Sequence, residues 1–147
     1  MKSKEIIKKV PFTSIDMFNL VKDVKMYPEF VPACKSIGVI DSHKDNDCEY
    51  INAIMEVGYG ILNEKFTSNI KLNKKQLKID VVNRDGPFVM LNNTWNFVQK
   101  DNECEINFKI DFQSKQTFTG AIINLMFDKV FMKYVSAFER RAHYICN

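Results

Sequence analysis

The stretch TFTGAIINLMFDKVFMKYVSAFERRAHYI, Thr117 to Ile145, decides the fold. It runs about 29 residues without proline, so at roughly 1.5 Å per residue it makes a helix about 40 Å long, enough to cross a small domain. Its C-terminal half is amphipathic. Phe127, Val130, Phe131, Tyr134, Val135, Phe138 and Ala142 share one face, while Lys129, Lys133, Glu139 and Arg140 take the other. The N-terminal half is apolar nearly all round. Phe118, Ala121, Ile122, Leu125 and Met126 project to the side that becomes charged two turns later, and Ile123 and Phe127 cover the opposite side. Such a segment must be covered on every side by protein, ligand or lipid. A fully buried helix start and an apolar binding site are the two readings.

The 147 residues are enough for one core, so a single domain spanning 1–147 is expected. With 46% hydrophobic and 27% charged residues the composition is globular, and 12 phenylalanines suit either a plain core or a large apolar guest. A net charge of +3 is too small to argue for nucleic acid, and DNA is not expected as a partner. Cys34, Cys48, Cys104 and Cys146 are scattered, with neither zinc spacing nor a disulfide framework. Residues 1–10 carry lysines but no apolar run for a signal peptide or membrane span, so a cytoplasmic location with at most peripheral membrane contact is expected.

Upstream of the helix, Lys4 to Val10 reads as a short strand ended by Pro11. Thr13 or Ser14 then caps a helix to about Val24, with Ile15, Met17, Phe18, Leu20 and Val21 on its apolar face. Pro28 and Pro32 bracket one or two helical turns. Six strands follow by period-two alternation: 37–40 (ended by a polar turn at 41–47), 50–57, 62–72, 77–82, 88–98 and 103–112. Their inward sets include Ile51, Ala53, Met55 and Val57; Phe66, Ser68, Ile70 and Leu72; Val89, Leu91, Asn93, Trp95 and Phe97; and Cys104 to Phe112 at every second position. This order predicts an α+β fold with a twisted antiparallel sheet wrapped around the last helix.

No catalytic motif is present. His43 in a turn and His143 near a helix end serve no nucleophile, and Glu64 and Asp85 are only weak acid/base candidates. The loops say more. Gly58-Tyr59-Gly60-Ile61-Leu62 is a hairpin tip with apolar side chains, either a flap, a surface patch or a loop folded back on the core. Asp85-Gly86-Pro87-Phe88 and Tyr27-Pro28-Glu29-Phe30-Val31-Pro32 also carry aromatics on irregular backbone, and together these loops would rim an apolar pocket. Inside it, Ser68 and Asn93 need partners, whether water, backbone or a ligand oxygen. Lys71, Lys74, Lys75 and Lys78, with Lys2, Lys4, Lys8 and Lys9, read as a solvated edge or a phosphate-facing patch.

Tyr27 to Cys34, Asp85 to Phe88, Trp95-Asn96-Phe97 and Ala137 to Ala142 resemble the matching segments of the coenzyme Q-binding START-domain family. Its bacterial members include the RatA-type proteins, and the likeness runs in order from about Ile6 to Tyr144. The resemblance implies a helix-grip fold with a hydrophobic tunnel. It implies non-enzymatic binding of ubiquinone or a related polyprenyl lipid in support of respiration, at the inner membrane and with no further cofactor. It implies as the alternative a toxin that binds the large ribosomal subunit and blocks subunit association. Ala33 departs from a bulkier aromatic usual in the family, Val89 and Met90 stand where basic residues are common, and Asn92 to Thr94 differ from a glycine-containing stretch. On this reading Tyr27, Phe30, Val31, Phe66, Trp95, Phe112, Phe118, Ile122 and Leu125 are the expected walls. Tyr59, Ile61, Phe88 and Met90 are the expected mouth, and Leu125→Glu is expected to empty the site.

Overall fold

The computed structural model describes residues 1–146. Seven antiparallel strands, β1 (Lys2–Val10), β2 (Cys34–Asp45), β3 (Cys48–Tyr59), β4 (Leu62–Asn73), β5 (Lys78–Arg84), β6 (Phe88–Lys100) and β7 (Glu103–Ser114), form one sheet in the order β1-β7-β6-β5-β4-β3-β2. Helix α1 (Ser14–Lys22) and a 3-10 segment (Val24–Glu29) lie between β1 and β2, and α2 (Phe118–Ile145) closes the chain order. The curved antiparallel sheet around a long C-terminal helix is the expected architecture.

Local chemistry sets the helix starts. Thr13 accepts a bond from the Asp16 amide through its side chain, and Thr117 does the same for Gly120, satisfying amides that have no intrahelical partner. Along α2 the buried set Phe127, Phe131, Val135, Phe138 and Ala142 confirms the amphipathic stripe. Ion pairs fix the helix to the sheet edge, Lys4 to Asp128 and Lys8 to Glu139, both at 2.8 Å, while Lys2 donates to the Asn124 carbonyl at 3.1 Å. Lys2, Lys4 and Lys8 are therefore struts rather than part of one basic patch, while Lys9 stays exposed.

Four local expectations change. The first sheet strand after the helices does not stop at residue 40 but continues to Asp45, pairing His43 with Tyr50 and Asp45 with Cys48. As an edge strand exposed along nearly its whole length, β2 needs no apolar residues to stay paired, so hydrophobicity could not mark its end. The helical turns near Pro28 precede and include that proline instead of following it. In β6 a bulge between Phe88 and Met90 turns Phe88 inward and leaves Val89 63% exposed, whereas the residues from Leu91 on keep the expected phase. Ile15 is likewise exposed, while the rest of the expected α1 face is buried.

Candidate functional site

A cavity of about 230 Å3 lies between the concave face of the sheet and α2. Alternate residues of five strands supply one wall: Met55 and Val57 of β3, Phe66, Ser68 and Ile70 of β4, Ile79, Val81 and Asn83 of β5, Phe88, Leu91, Asn93 and Trp95 of β6, and Ile110 and Phe112 of β7. Ile123, Met126, Phe127, Val130, Phe131 and Tyr134 of α2 supply the opposite wall. Val21, Val24, Tyr27, Val31 and Cys34 close one end. The aromatic rings hold one another in place. Phe112 stacks on Phe127 at 4.5 Å, Phe66 meets Phe88 edge-on at 5.3 Å, and Trp95 and Tyr134 lie 6.1 Å apart.

Of the expected wall and mouth residues, Tyr27, Val31, Phe66, Phe88, Trp95 and Phe112 line this space. Six others do not. Phe118 and Leu125 are 82% and 84% exposed, and Ile122, on the same helical stripe, is also off the cavity. Stepping back from Phe131 and Phe127 in units of three and four reaches Ile123 and Gly120, so helical phase selects Ile123 and Met126 for the interior. The high apolar count of the helix start had masked that phase. Phe30 packs outside the cavity against Tyr27 and Phe138, with the Arg141 guanidinium 5.1 Å over its ring and bonded to Glu29. Met90 falls beyond the bulge, and Ile61 at the hairpin tip is 98% exposed, its neighbour Leu62 lining the cavity instead. The Tyr59 side chain lies outside what the structure describes.

Polar groups in the wall are few. Ser68 donates to Asn83 Oδ1, and Asn83 Nδ2 in turn donates to the Leu91 carbonyl at 2.9 Å, which answers the question of Ser68's partner. Asn93 Oδ1 is buried with no hydrogen bond. The Tyr27 hydroxyl donates to the Val21 carbonyl. Burial pushes the Tyr27 and Tyr134 phenols above their ordinary range and raises the Cys34 thiol from 9.0 to about 11. All three are therefore protonated at neutral pH, and none offers a ready nucleophile or base. No His, Asp, Glu, Lys or Arg is among the lining residues, and Asp85 instead accepts from Thr67 at 3.3 Å. No group of three potential metal ligands occurs among the described residues.

These shifts carry a sign. The unfolded chain releases the Cys34 proton near pH 9 while the folded chain holds it to about 11, so the folded state loses stability as pH rises through that window. The raised tyrosines act in the same direction at higher pH. Melting temperature is expected to fall between pH 9 and 11, and Cys34→Ala, which removes the thiol, to flatten the first part of that fall in a thermal scan series.

A sheet that grips one long helix around an apolar cavity defines the START-like, helix-grip class. The pattern of the "Polyketide cyclase / dehydrase and lipid transport" family matches residues 10–139, and the chain belongs to that family. Among its relatives, the Ribosome association toxin RatA of Rickettsia prowazekii is 32% identical over 145 residues, covering 97% of each chain. RatA of Escherichia coli K12 is 32% identical over 139 residues, 90% of this chain and 82% of that one. The mitochondrial Coenzyme Q-binding protein COQ10 of Drosophila melanogaster is 31% identical over 133 residues, 88% of this chain but 53% of that one. The solution structure of the 18 kDa protein CC1736 from Caulobacter crescentus superposes with a TM-score of 0.79 at 31% identity, over 99% and 98% of the two chains. The Zhui aromatase/cyclase from Streptomyces superposes at 0.82 over 99% of this chain and 96% of that one, but at 11% identity that likeness shows the fold alone.

Proposed function

We propose that this chain binds an amphipathic lipid of the polyprenyl-quinone type in the cavity, without catalysing a reaction on it, in support of respiratory electron transport. The observation that carries this reading is the cavity itself, enclosed by aromatic and aliphatic side chains and free of ionisable residues that are charged at neutral pH. The relative named for coenzyme Q binding supports it. Trp95 is the sole tryptophan and borders the cavity, so its fluorescence is a direct readout. A soluble short-chain benzoquinone is expected to quench it saturably at one equivalent; linear, collisional quenching with no saturation contradicts the proposal.

Membrane contact belongs to the same reading. Ile61, Val89, Phe118 and Leu125 are all exposed, at the β3–β4 turn, the β5–β6 connection and the start of α2. The last two meet where the Lys115 amide donates to the Pro87 carbonyl at 3.0 Å. This is the end where Gly58, Leu62 and Ile123 line the cavity, so a bilayer touching these side chains would face its opening. The double variant F118E/L125E is expected to lose vesicle co-flotation by tenfold or more while quenching of Trp95 by soluble quinone stays unchanged, because neither residue lines the cavity. Equal flotation of both proteins argues against this docking face.

A second reading, association with the large ribosomal subunit as a RatA-type toxin, is favoured by a different observation. The relatives at 32% identity over most of both chains carry that name, and they support it more directly than the quinone reading. Lys71, Lys74 and Lys75 remain exposed at the β4–β5 turn, with Lys71 6.0 Å over the Tyr50 ring. Added protein would then shift ribosomes toward free subunits in a gradient, less so as salt rises. A sedimentation profile unchanged at low salt contradicts it.

A further inference from the structure

We propose that the cavity takes only the ring head of its lipid, that the Asn93 amide and the Tyr134 hydroxyl at its deep end bond an oxygen on that ring, and that the tail stays outside. The inference rests on the lipid-binding reading above and specifies its site. Volume decides the first part. The space measures about 230 Å3. An engineered cavity of about 150 Å3 accommodates benzene. One substituted ring and the first carbons of a chain therefore fill the space, and a polyprenyl tail does not fit behind them.

Orientation follows from the two polar groups. Asn93 lies two residues from Trp95 on the same strand face, and the Tyr134 ring lies 6.1 Å from the Trp95 indole. Both therefore border the buried indole, far along β6 and α2 from the start of that helix at Phe118 and from the β3–β4 turn. Asn93 Oδ1 is buried without a partner, and the Tyr134 phenol, held protonated by burial, lines the same space. Such groups in an apolar wall are costly unless something bonds them. A ring oxygen meets the requirement: a hydroxyl donates to Asn93 Oδ1, and a carbonyl accepts from the Tyr134 hydroxyl. An aliphatic lipid with its polar head at the mouth would leave Asn93 Oδ1 unpaired.

The test titrates Trp95 fluorescence with 2,3-dimethoxy-5-methyl-1,4-benzoquinone and its quinol carrying no, one, two and three isoprene units, against wild type, N93L and Y134F. Affinity is expected to rise with the first unit and then change by less than about threefold per added unit. A continued tenfold or greater gain from the second to the third unit overturns the tail-outside arrangement, since a fully buried five-carbon unit gives far more than that. N93L is expected to lose about tenfold for the quinol, whose hydroxyl donates to Asn93 Oδ1, and Y134F about tenfold for the quinone, whose carbonyl accepts from the Tyr134 hydroxyl. Toluene, which has no oxygen, should raise the melting temperature of N93L at least as much as that of wild type, separating loss of recognition from loss of fold. Unchanged quinone and quinol affinity in both variants overturns the recognition claim. Wild type that binds none of these rings, and no oxygenated ring of that size, removes the lipid reading itself.

Discussion

V130F is expected to abolish binding of the short-chain quinone, weakening it at least about a hundredfold, while leaving the melting temperature unchanged or higher. Val130 is half-buried on the inner face of α2 and borders the cavity. A benzene needs a cavity of about 150 Å3, so a phenyl ring placed there and a second, bound ring together need more than the roughly 230 Å3 present. A second ring then has no place. In a solidly packed core the same change would be overpacking, with a cost of about 1–3 kcal/mol. The pair of readouts thus separates the two situations: lost quenching of Trp95 with retained stability identifies a real hollow. Retained binding, or a fall in stability of that size, contradicts it.

W95A is expected to have the largest effect on stability. Trp95 is 1% exposed, and its ring lies 4.3 Å from Phe108, 5.0 Å from Phe138 and 5.9 Å from Phe97, joining β6, β7 and α2. Removing a buried aromatic side chain costs about 3–5 kcal/mol. Against a total of about 5–15 kcal/mol for a typical domain, that is enough to leave a sizeable unfolded fraction at moderate urea. The void left by the indole also joins the existing cavity, so the surrounding side chains cannot close it. Urea unfolding followed by circular dichroism checks the value. A loss below about 1 kcal/mol would mean that Trp95 is not the centre of the core. W95F, which keeps a ring at the position, should recover most of the difference.

The sequence was most informative where one period dominated. Alternation along β7 put Cys104, Ile106, Phe108 and Phe112 inside, and the C-terminal half of α2 showed its stripe directly. It was least informative where one face was not wholly dry. At the start of α2 both faces are apolar, and composition suggested that Phe118, Ile122 and Leu125 faced inward, although Phe118 and Leu125 point away from the stripe of Ile123 and Phe127 and Ile122 only flanks it. The phase of the buried stripe carried forward would have separated them. The bulge at Val89 and the long polar edge of β2 left no such trace. Both follow from backbone pairing with a neighbouring strand, which a single strand's pattern does not contain. Asn93 was visible as a polar residue on an apolar face, but only the packed wall shows that its carbonyl has no partner.

These consequences all depend on a space that a guest molecule fills. Native mass spectrometry of the protein, released gently from cells without delipidation, measures this most directly. The account predicts a one-to-one adduct that dissociates on activation to give an organic-soluble, ring-containing lipid, and that V130F lacks. A bare polypeptide mass under the same conditions, with nothing extractable into organic solvent and no adduct on adding a short-chain quinone, would contradict it.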